Sequence, residues 1–244
     1  MIDFAAASDR ATPGFERATV GDWILRNARG ETGRANSATP LGDPGAPVPA
    51  AIDEVEAWYR RRGRPPQFQV FDETAPAVLA ELDARGFGTG ATTDILAAPL
   101  DAVTAPAPAP RFTVEVVTAM PAFLGAQLAE ARAEEMLSAD LPRWFVIASE
   151  GSGVVASGMA LGDGDLVGVF AMRTDPDQQG RGAGSAVMRG LLAEGRRRGA
   201  STAWLQVEAD NRRAAEWYER LGFTRRTGYR YRLLPVTPRS PGRG

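Results

Sequence analysis

Apolar and polar residues alternate most regularly in the carboxyl-terminal half of this 244-residue chain. Residues 112–117 alternate with period 2, which is typical of a half-buried strand, and residues 144–148, 154–161 and 165–174 also predict strands. After the first of these strands, residues 122–137 repeat apolar positions at helical spacing and predict one helix. A turn-rich segment at 150–153 joins the second and third strands as a hairpin. The pattern therefore predicts a strand, a helix and a three-stranded meander before residue 175.

Both halves of the chain contain the same series of landmarks, 136 positions apart. An arginine triplet followed by glycine ends a helical pattern at Gly63 and again at Gly199. A Gly-Phe pair follows at the same interval, ending at Phe87 and at Phe223. Between these landmarks each half has a short apolar run and a second helical pattern. The repeated series predicts an internal duplication.

A stretch rich in alanine and proline separates the two halves. Its alternate prolines favour an extended polyproline conformation, which is typical of a linker. We predict an amino-terminal domain over residues 1–97, a linker over 98–111, a second domain over 112–234 and a flexible tail over 235–244. Each domain has the size of a small folded unit.

The composition excludes several classes of function. The chain has no cysteine and no histidine, and all 28 of its basic residues are arginine. Disulfides, thiolate nucleophiles, imidazole bases, Schiff-base lysines and most zinc sites are therefore excluded, and we expect no metal. A formal charge of −2 gives no reason to expect a nucleic-acid partner. The sequence has neither a long apolar run nor an apolar amino terminus, so we expect a cytoplasmic protein with no membrane association.

A glycine-rich turn follows the last strand of the meander. From Gln179 the sequence reads Q-G-R-G-A-G-S and continues into an amphipathic helical pattern. The three glycines allow a tight turn with its N–H groups on one side, and the helix start adds unpaired amides, so this unit suits a pyrophosphate. A P-loop needs a lysine that this chain lacks, and a dinucleotide fingerprint needs glycine where Ser185 stands. A nucleotide-dependent oxidoreductase is therefore disfavoured.

Three motifs in series resemble the GNAT superfamily of acetyl-CoA-dependent N-acetyltransferases. They are Gln179-x-x-Gly182-x-Gly184 after a strand, then Asn211, then Tyr218-x-x-x-Gly222-Phe223. The resemblance covers about residues 112 to 233. It implies an α+β fold of two GNAT-like lobes, each a mixed, mostly antiparallel twisted sheet flanked by helices, with a degenerate amino-terminal lobe. It also implies transfer of acetyl from acetyl-CoA to a primary amine on a small molecule or a peptide.

The resemblance also implies roles for individual residues. A bulged strand offers backbone groups to the pantetheine arm of the cofactor, and the loop amides bind its pyrophosphate. These cofactor-binding roles fall on Met172, Arg173, Thr174, Gln179, Gly180, Arg181, Gly182, Ala183, Gly184 and Ser185. Asn211 is implied to bond the cofactor arm, although its position also suits a helix N-cap. Tyr218 is implied to be the catalytic acid that protonates the departing thiolate, whereas its neighbour Trp217 favours a packing role.

A general base is harder to assign. Relatives in the superfamily carry a glutamate at the positions of Gly168 or Gln206, and glutamine cannot accept a proton. We predict Glu208, on the same strand face as Gln206, as the catalytic base, with proton loss through ordered water as the alternative. Glu134 and Glu135 could line an acceptor pocket, but we expect both to be solvated surface acids.

The amino-terminal half lacks the cofactor residues at the matching offset, where Ala75 and Leu82 stand opposite Asn211 and Tyr218. Prolines and Asp43 replace the glycine-rich turn, so we expect no coenzyme A in this half. We expect it to pack against the active half and to wall the acceptor site. A non-catalytic acyl-CoA-binding module is the alternative function. The sequence identifies neither the acceptor nor the oligomeric state.

Overall fold

A computed structural model of the chain describes residues 2–29, 32–105 and 109–234. The predicted tail at 235–244, and residues 106–108 of the predicted linker, lie outside the described residues. The helices are α1 (Phe4–Ala11), α2 (Val48–Arg60), α3 (Pro76–Ala84), α4 (Ala122–Gly125), α5 (Glu130–Leu137), α6 (Ala183–Arg197) and α7 (Arg212–Arg220). The strands are β1 (Glu16–Val20), β2 (Trp23–Asn27), β3 (Ala38–Thr39), β4 (Gln67–Phe71), β5 (Gly88–Pro99), β6 (Phe112–Val117), β7 (Arg143–Glu150), β8 (Gly153–Asp163), β9 (Leu166–Thr174), β10 (Thr202–Glu208) and β11 (Thr224–Leu233). Within the described ranges, no helix is both long and apolar enough to cross a membrane.

The chain divides into two compact units. Unit 1 takes the residues up to Pro13 together with Thr93–Gly228, and unit 2 takes Gly14–Thr92 together with the residues from Tyr229. Helix α1 therefore belongs to unit 1, and β5 and β11 each contribute a segment to both units. The domain limits predicted from the sequence stay predictions. Ala98 and Pro99, the first residues of the predicted linker, are residues of β5 that pair with β10.

In unit 1 the strand order is β5-β10-β9-β8-β7-β6. The pair β10 and β9 is parallel, and the other pairs in this series are antiparallel. Strands β6 to β9 match the four predicted strands to within two residues at each end. Helix α6 connects the parallel strands β9 and β10, as a parallel pair requires a crossover.

The two faces of β10 contact different helices of unit 1. Leu205 shares a buried cluster with Leu191 of α6 and with Tyr218 of α7. Its neighbour Trp204 lies on the opposite face, because successive strand residues alternate. There its ring centroid lies 6.4 Å from that of Phe4 in α1. Helices α6 and α7 therefore cover one face of β10, and α1 covers the other.

The prediction of a single helix over residues 122–137 is wrong in the middle of that segment. The structure has α4 and α5 instead, divided at residues 126–129. Gly125 ends α4, and glycine is a poor helix former because of its backbone freedom. Ala129 then takes an extended conformation, with ψ 147°, before α5 begins. Apolar spacing continues across the break, which is why the pattern alone joined the two helices.

Unit 2 has the strand order β1-β2-β3-β4-β11, and its buried cluster includes residues of α2 and α3. Its core contains the fully buried side chains of Trp23, Ile52 and Phe68. Arg26 is also buried in this unit, where its Nη2 donates to Gln69 Oε1 at 2.8 Å. Polar partners of this kind offset the cost of removing a guanidinium from water.

The order helix, strand, helix, strand occurs twice, as α2-β4-α3-β5 and as α6-β10-α7-β11. Glycines with positive φ follow the corresponding helices, at Gly63 and Gly199 after the first helix and at Gly86 and Gly222 after the second. Other residues are strained in this conformation, which explains the repeated glycines. The repeated order agrees with the predicted duplication. The mostly antiparallel sheets flanked by helices confirm the predicted α+β class.

Candidate active site

The amino terminus of α6 presents main-chain donors that the helix itself does not use. Gly182 is the N-cap residue, and it has no side chain to cap the helix. The amide of Ala186 donates to Gly182 O at 3.0 Å, which is the first bond of the helix. The amides of Ala183, Gly184 and Ser185 precede that bond and therefore have no carbonyl within the helix to accept from them. The helix dipole adds partial positive charge at the same point.

Glycine is required in the turn that leads into α6. Gly180 has φ +76° and Gly182 has φ +97°, where any other residue is strained. The turn is also held from outside, because Arg111 Nη2 donates to Arg181 O at 2.6 Å. On its other side, Arg213 Nη1 donates to Gln179 Oε1 at 2.9 Å. The turn therefore has a defined shape.

Strand β9 is bulged just before this turn. The register with β8 shifts between Ser157 and Met159, and Ala171 takes φ +50°, the one positive φ recorded for a residue other than glycine in the described chain. A Cβ atom on Gly158 would lie 2.6 Å from Met172 Sδ, so glycine there makes room for that side chain. The bulge turns Met172 to the α6 side of the sheet.

The parallel strands β9 and β10 separate where the bulge begins. Their register pairs end at Val169 with Leu205, although both strands continue. Beyond Val169, the main-chain groups on the β10 side of β9 therefore have no register partner in β10. Such groups require other partners.

Helix α7 places Asn211 and Tyr218 beside this gap. Asn211 is the N-cap, and its Oδ1 accepts from the amide of Ala214 at 3.2 Å. Tyr218 is buried, with ring centroids 4.9 Å from Trp217 and 6.0 Å from Phe223. Burial raises the pKa of Tyr218 to about 12, against the opposing effect of the Arg173 guanidinium. The phenol therefore keeps its proton at neutral pH.

These elements surround one cleft of about 580 Å³ in unit 1. Nine of the predicted site residues line it: Met172, Thr174, Gln179, Gly180, Gly182, Gly184, Ser185, Asn211 and Tyr218. The predicted residues Arg173, Arg181, Ala183 and Glu208 are not in its lining. The structure brings most of the predicted cofactor residues together with Tyr218, and their roles stay predictions.

Sequence reasoning missed five residues of the cleft: Gln178, Arg213, Ala214, Trp217 and Arg220. Three of them share a signal that the sequence contains. Arg213, Trp217 and Arg220 are spaced four and three apart on α7, which puts them on one helix face. Listing the residues that share a helix face with one another at this spacing could have found them.

The predicted base candidates lie in different environments. Glu208 is exposed and pairs with Thr93 at the end of β10. Gln206 donates through Nε2 to Ser8 Oγ of α1 at 2.9 Å. The expectation of a solvated acid is wrong for Glu135, which is 3% exposed and lies 3.8 Å from Arg132 Nη1. Its neighbour Met136 in α5 is buried as well.

Gly168, the other position considered for a base, has no room for a side chain. A Cβ atom there would lie 2.6 Å from the ring of Phe170 and 3.0 Å from that of Trp204. The two rings form an edge-to-face pair with centroids 5.5 Å apart. A glutamate at this position would therefore displace the Phe170 ring and the buried Trp204 ring.

We expect Gly168→Ala to lower the free energy of unfolding by about 1–3 kcal/mol, because the added methyl group overpacks the Phe170 and Trp204 rings. Urea unfolding of the two proteins would measure the difference. Gly153→Ala is the matched control, since a Cβ atom there makes only an ordinary contact, 3.8 Å from Glu150 O. Equal losses in both variants would contradict the overpacking.

Three comparisons with known proteins agree with this geometry. A family model described as "Probable histone acetyltransferase Rv0428c C-terminal" matches residues 2–232. The ribosomal protein bS18-alanine N-acetyltransferase of Escherichia coli K12 is 41% identical over 73 residues, which are 30% of this chain and 49% of the relative. The matched region thus spans about half the length of that curated relative.

Two solved structures show the same fold. A GCN5-related N-acetyltransferase from Kribbella flavida superposes with a TM-score of 0.74 and 17% identity, over 96% of this chain and 94% of that one. A tandem GNAT protein from the clavulanic acid biosynthesis pathway superposes with a TM-score of 0.68 and 13% identity, over 89% and 79%. At these identities the likeness concerns the fold alone.

Proposed function

The chain belongs to the acetyltransferase family described as "Probable histone acetyltransferase Rv0428c C-terminal", and we propose that it transfers acetyl from acetyl-CoA to a primary amine by direct attack in a ternary complex. The observation that carries the proposal is the cleft at the start of α6. There, uncapped helix amides and glycines meet the bulged end of β9. Donors of this kind bind a diphosphate.

The residues present fit the two chemically different parts of coenzyme A. Main-chain donors from Gln179 to Ser185 suit its diphosphate, because no cleft residue in that turn is an acid. Its pantetheine arm contains amides, which suit the main chain of Met172, Arg173 and Thr174, where β9 still pairs with β8 but has no register partner in β10. The Asn211 side chain lies at the same cleft and keeps its amide nitrogen for the arm while its oxygen caps α7.

The reaction follows from these placements. The amine nitrogen attacks the thioester carbonyl carbon, so that a C–N bond forms and the C–S bond breaks. Tyr218 donates its phenolic proton to the departing sulfur and regains one from solvent. The attacking amine loses its proton to water, either directly or through water to Glu208, because none of the residues that line the cleft is an acid. No covalent enzyme intermediate is needed, which suits a chain without cysteine, histidine or lysine.

We propose a peptide or a small-molecule amine as the acceptor. Candidate acceptors can be tested as a panel of amines. The name of the Escherichia coli relative is a reason to include a peptide with an amino-terminal alanine in that panel. Amino acids and polyamines complete the panel as small primary amines.

We expect acetyl-CoA to bind in calorimetry, and free thiol to appear only when an acceptable amine is added. Mass spectrometry of the amine should show one added acetyl group. Binding without acylation of any amine would favour the non-catalytic acyl-CoA module. Absence of binding would reject both functions, since both require the cleft to hold coenzyme A.

A further inference from the structure

The charged side chains in the cleft are all of one sign. Among its lining residues, the ionised groups are the guanidinium groups of Arg213 and Arg220. The whole chain carries a formal charge of −2, so this local excess of positive charge is not a property of the protein as a whole. A cleft with cationic walls raises the local concentration of anions.

The two arginines belong to one stripe on α7 that also contains Trp217. Positions 213, 217 and 220 span about 10.5 Å along the helix, from seven residues at 1.5 Å each. Trp217 is half-buried, and its ring lies 4.9 Å from that of Tyr218 with 47° between the planes. One part of the indole is thus packed, and another part lines the cleft.

The arginines at the two ends of this stripe are held differently. Arg213 donates to Gln179 in the glycine turn, so it lies beside the proposed diphosphate site. Arg220 lies 4.0 Å from Glu216, and both of these side chains are about two-thirds exposed, at 66% and 67%. A pair with that separation and exposure contributes little. Its guanidinium is therefore able to turn to a stronger anionic partner.

We propose that Arg213, Trp217 and Arg220 form the subsite for the 3′-phosphoadenosine end of coenzyme A. This inference rests on the proposed function. It adds the residues that bind one end of coenzyme A and a preference between two forms of the coenzyme. The 3′-phosphate is a monoester separate from the diphosphate, and guanidinium groups bind such a group by charge-assisted hydrogen bonds. The adenine has a π-face that stacks on an indole. The consequence is a preference for coenzyme A over 3′-dephospho-coenzyme A.

Calorimetry of the full chain with the two free coenzymes tests the subsite without acyl transfer. We expect the wild type to bind coenzyme A about 10- to 100-fold more tightly than the 3′-dephospho form, the range expected for hydrogen bonds to a charged group. In the double variant Arg213→Met, Arg220→Met, this ratio should fall towards one. The ratio is the readout because damage to the glycine turn would weaken both ligands and leave it unchanged.

Arg212→Met is the matched control, since Arg212 is an exposed arginine of the same helix outside the cleft lining. It should keep the wild-type ratio. Trp217→Leu should weaken both coenzymes alike by about tenfold through lost stacking. Equal binding of both coenzymes by the wild type, or an unchanged ratio in the double variant, would overturn the subsite. No binding of either coenzyme by the wild type would instead reject the proposed function.

Discussion

Replacing Ser185 with aspartate is expected to weaken acetyl-CoA binding at least about 100-fold while slightly raising the stability of the ligand-free fold. Ser185 is the third residue of α6 and lines the cleft. A carboxylate in the first turn of a helix is favourable to the helix by about 0.3–1 kcal/mol. The same carboxylate repels a bound diphosphate by about 4 kcal/mol per charge pair at 4 Å and an effective dielectric constant of 20. Binding and stability should therefore move in opposite directions.

The opposite directions make this variant informative, because a misfolded protein would lose both. Calorimetry with acetyl-CoA measures the first effect, and thermal unfolding without ligand measures the second. Ser185→Asn is the matched control, since asparagine has nearly the same shape as aspartate and no charge. It should lose far less affinity than the aspartate variant. Wild-type affinity in Ser185→Asp would place the diphosphate somewhere other than the start of α6.

The meander and the glycine turn could be predicted because their signals are local. Alternation over five to ten residues locates strands such as β6, whose predicted bounds are those observed. Glycine at 180 and 182 indicates positive φ there, and this prediction does not require knowing which residues contact the turn. The family resemblance then linked that turn to Tyr218, 36 positions after Gly182, and both line the same cleft.

Features that depend on distant partners could not be predicted in the same way. Helix α1 joins unit 1 through contacts such as Ser8 with Gln206, almost 200 positions away. The bulge at Ala171 has no local signal either, because alanine rarely takes positive φ. Strand β11 was not predicted, and its pairing with β4 joins residues about 160 positions apart. Local periodicity describes which face of an element is apolar, and it does not identify the element that covers that face.

The Tyr218→Phe variant should lower kcat about 100-fold with little change in the dissociation constant of acetyl-CoA. General acid catalysis contributes about 10²- to 10⁴-fold to a rate. The lower end applies here because a thiol, with a reference pKa near 8.5, is a good leaving group even without full protonation. The phenylalanine ring keeps the contacts with Trp217 and Phe223, so the cleft keeps its shape.

The pH profile of kcat separates an acid role for Tyr218 from a packing role. Burial raises its pKa to about 12, from an ordinary value of 10. Its proton is therefore present throughout pH 9–11, and the wild-type kcat should show no loss from phenol ionisation in that range. The fall in kcat that is caused by ionisation of the Tyr218 phenol should appear near pH 12 in the wild type and be absent from Tyr218→Phe.

Steady-state kinetics and calorimetry on both proteins would check these expectations, with Tyr59→Phe as the control. Tyr59 is also a buried tyrosine, and its hydroxyl donates to Arg26 O at 2.8 Å in unit 2, outside the cleft lining. Its replacement should reduce stability and leave kcat unchanged. An unchanged kcat in Tyr218→Phe would assign Tyr218 to packing alone. Thiolate departure would then have to depend on solvent for its proton, and the cleft would contribute to the reaction by binding and orienting its substrates.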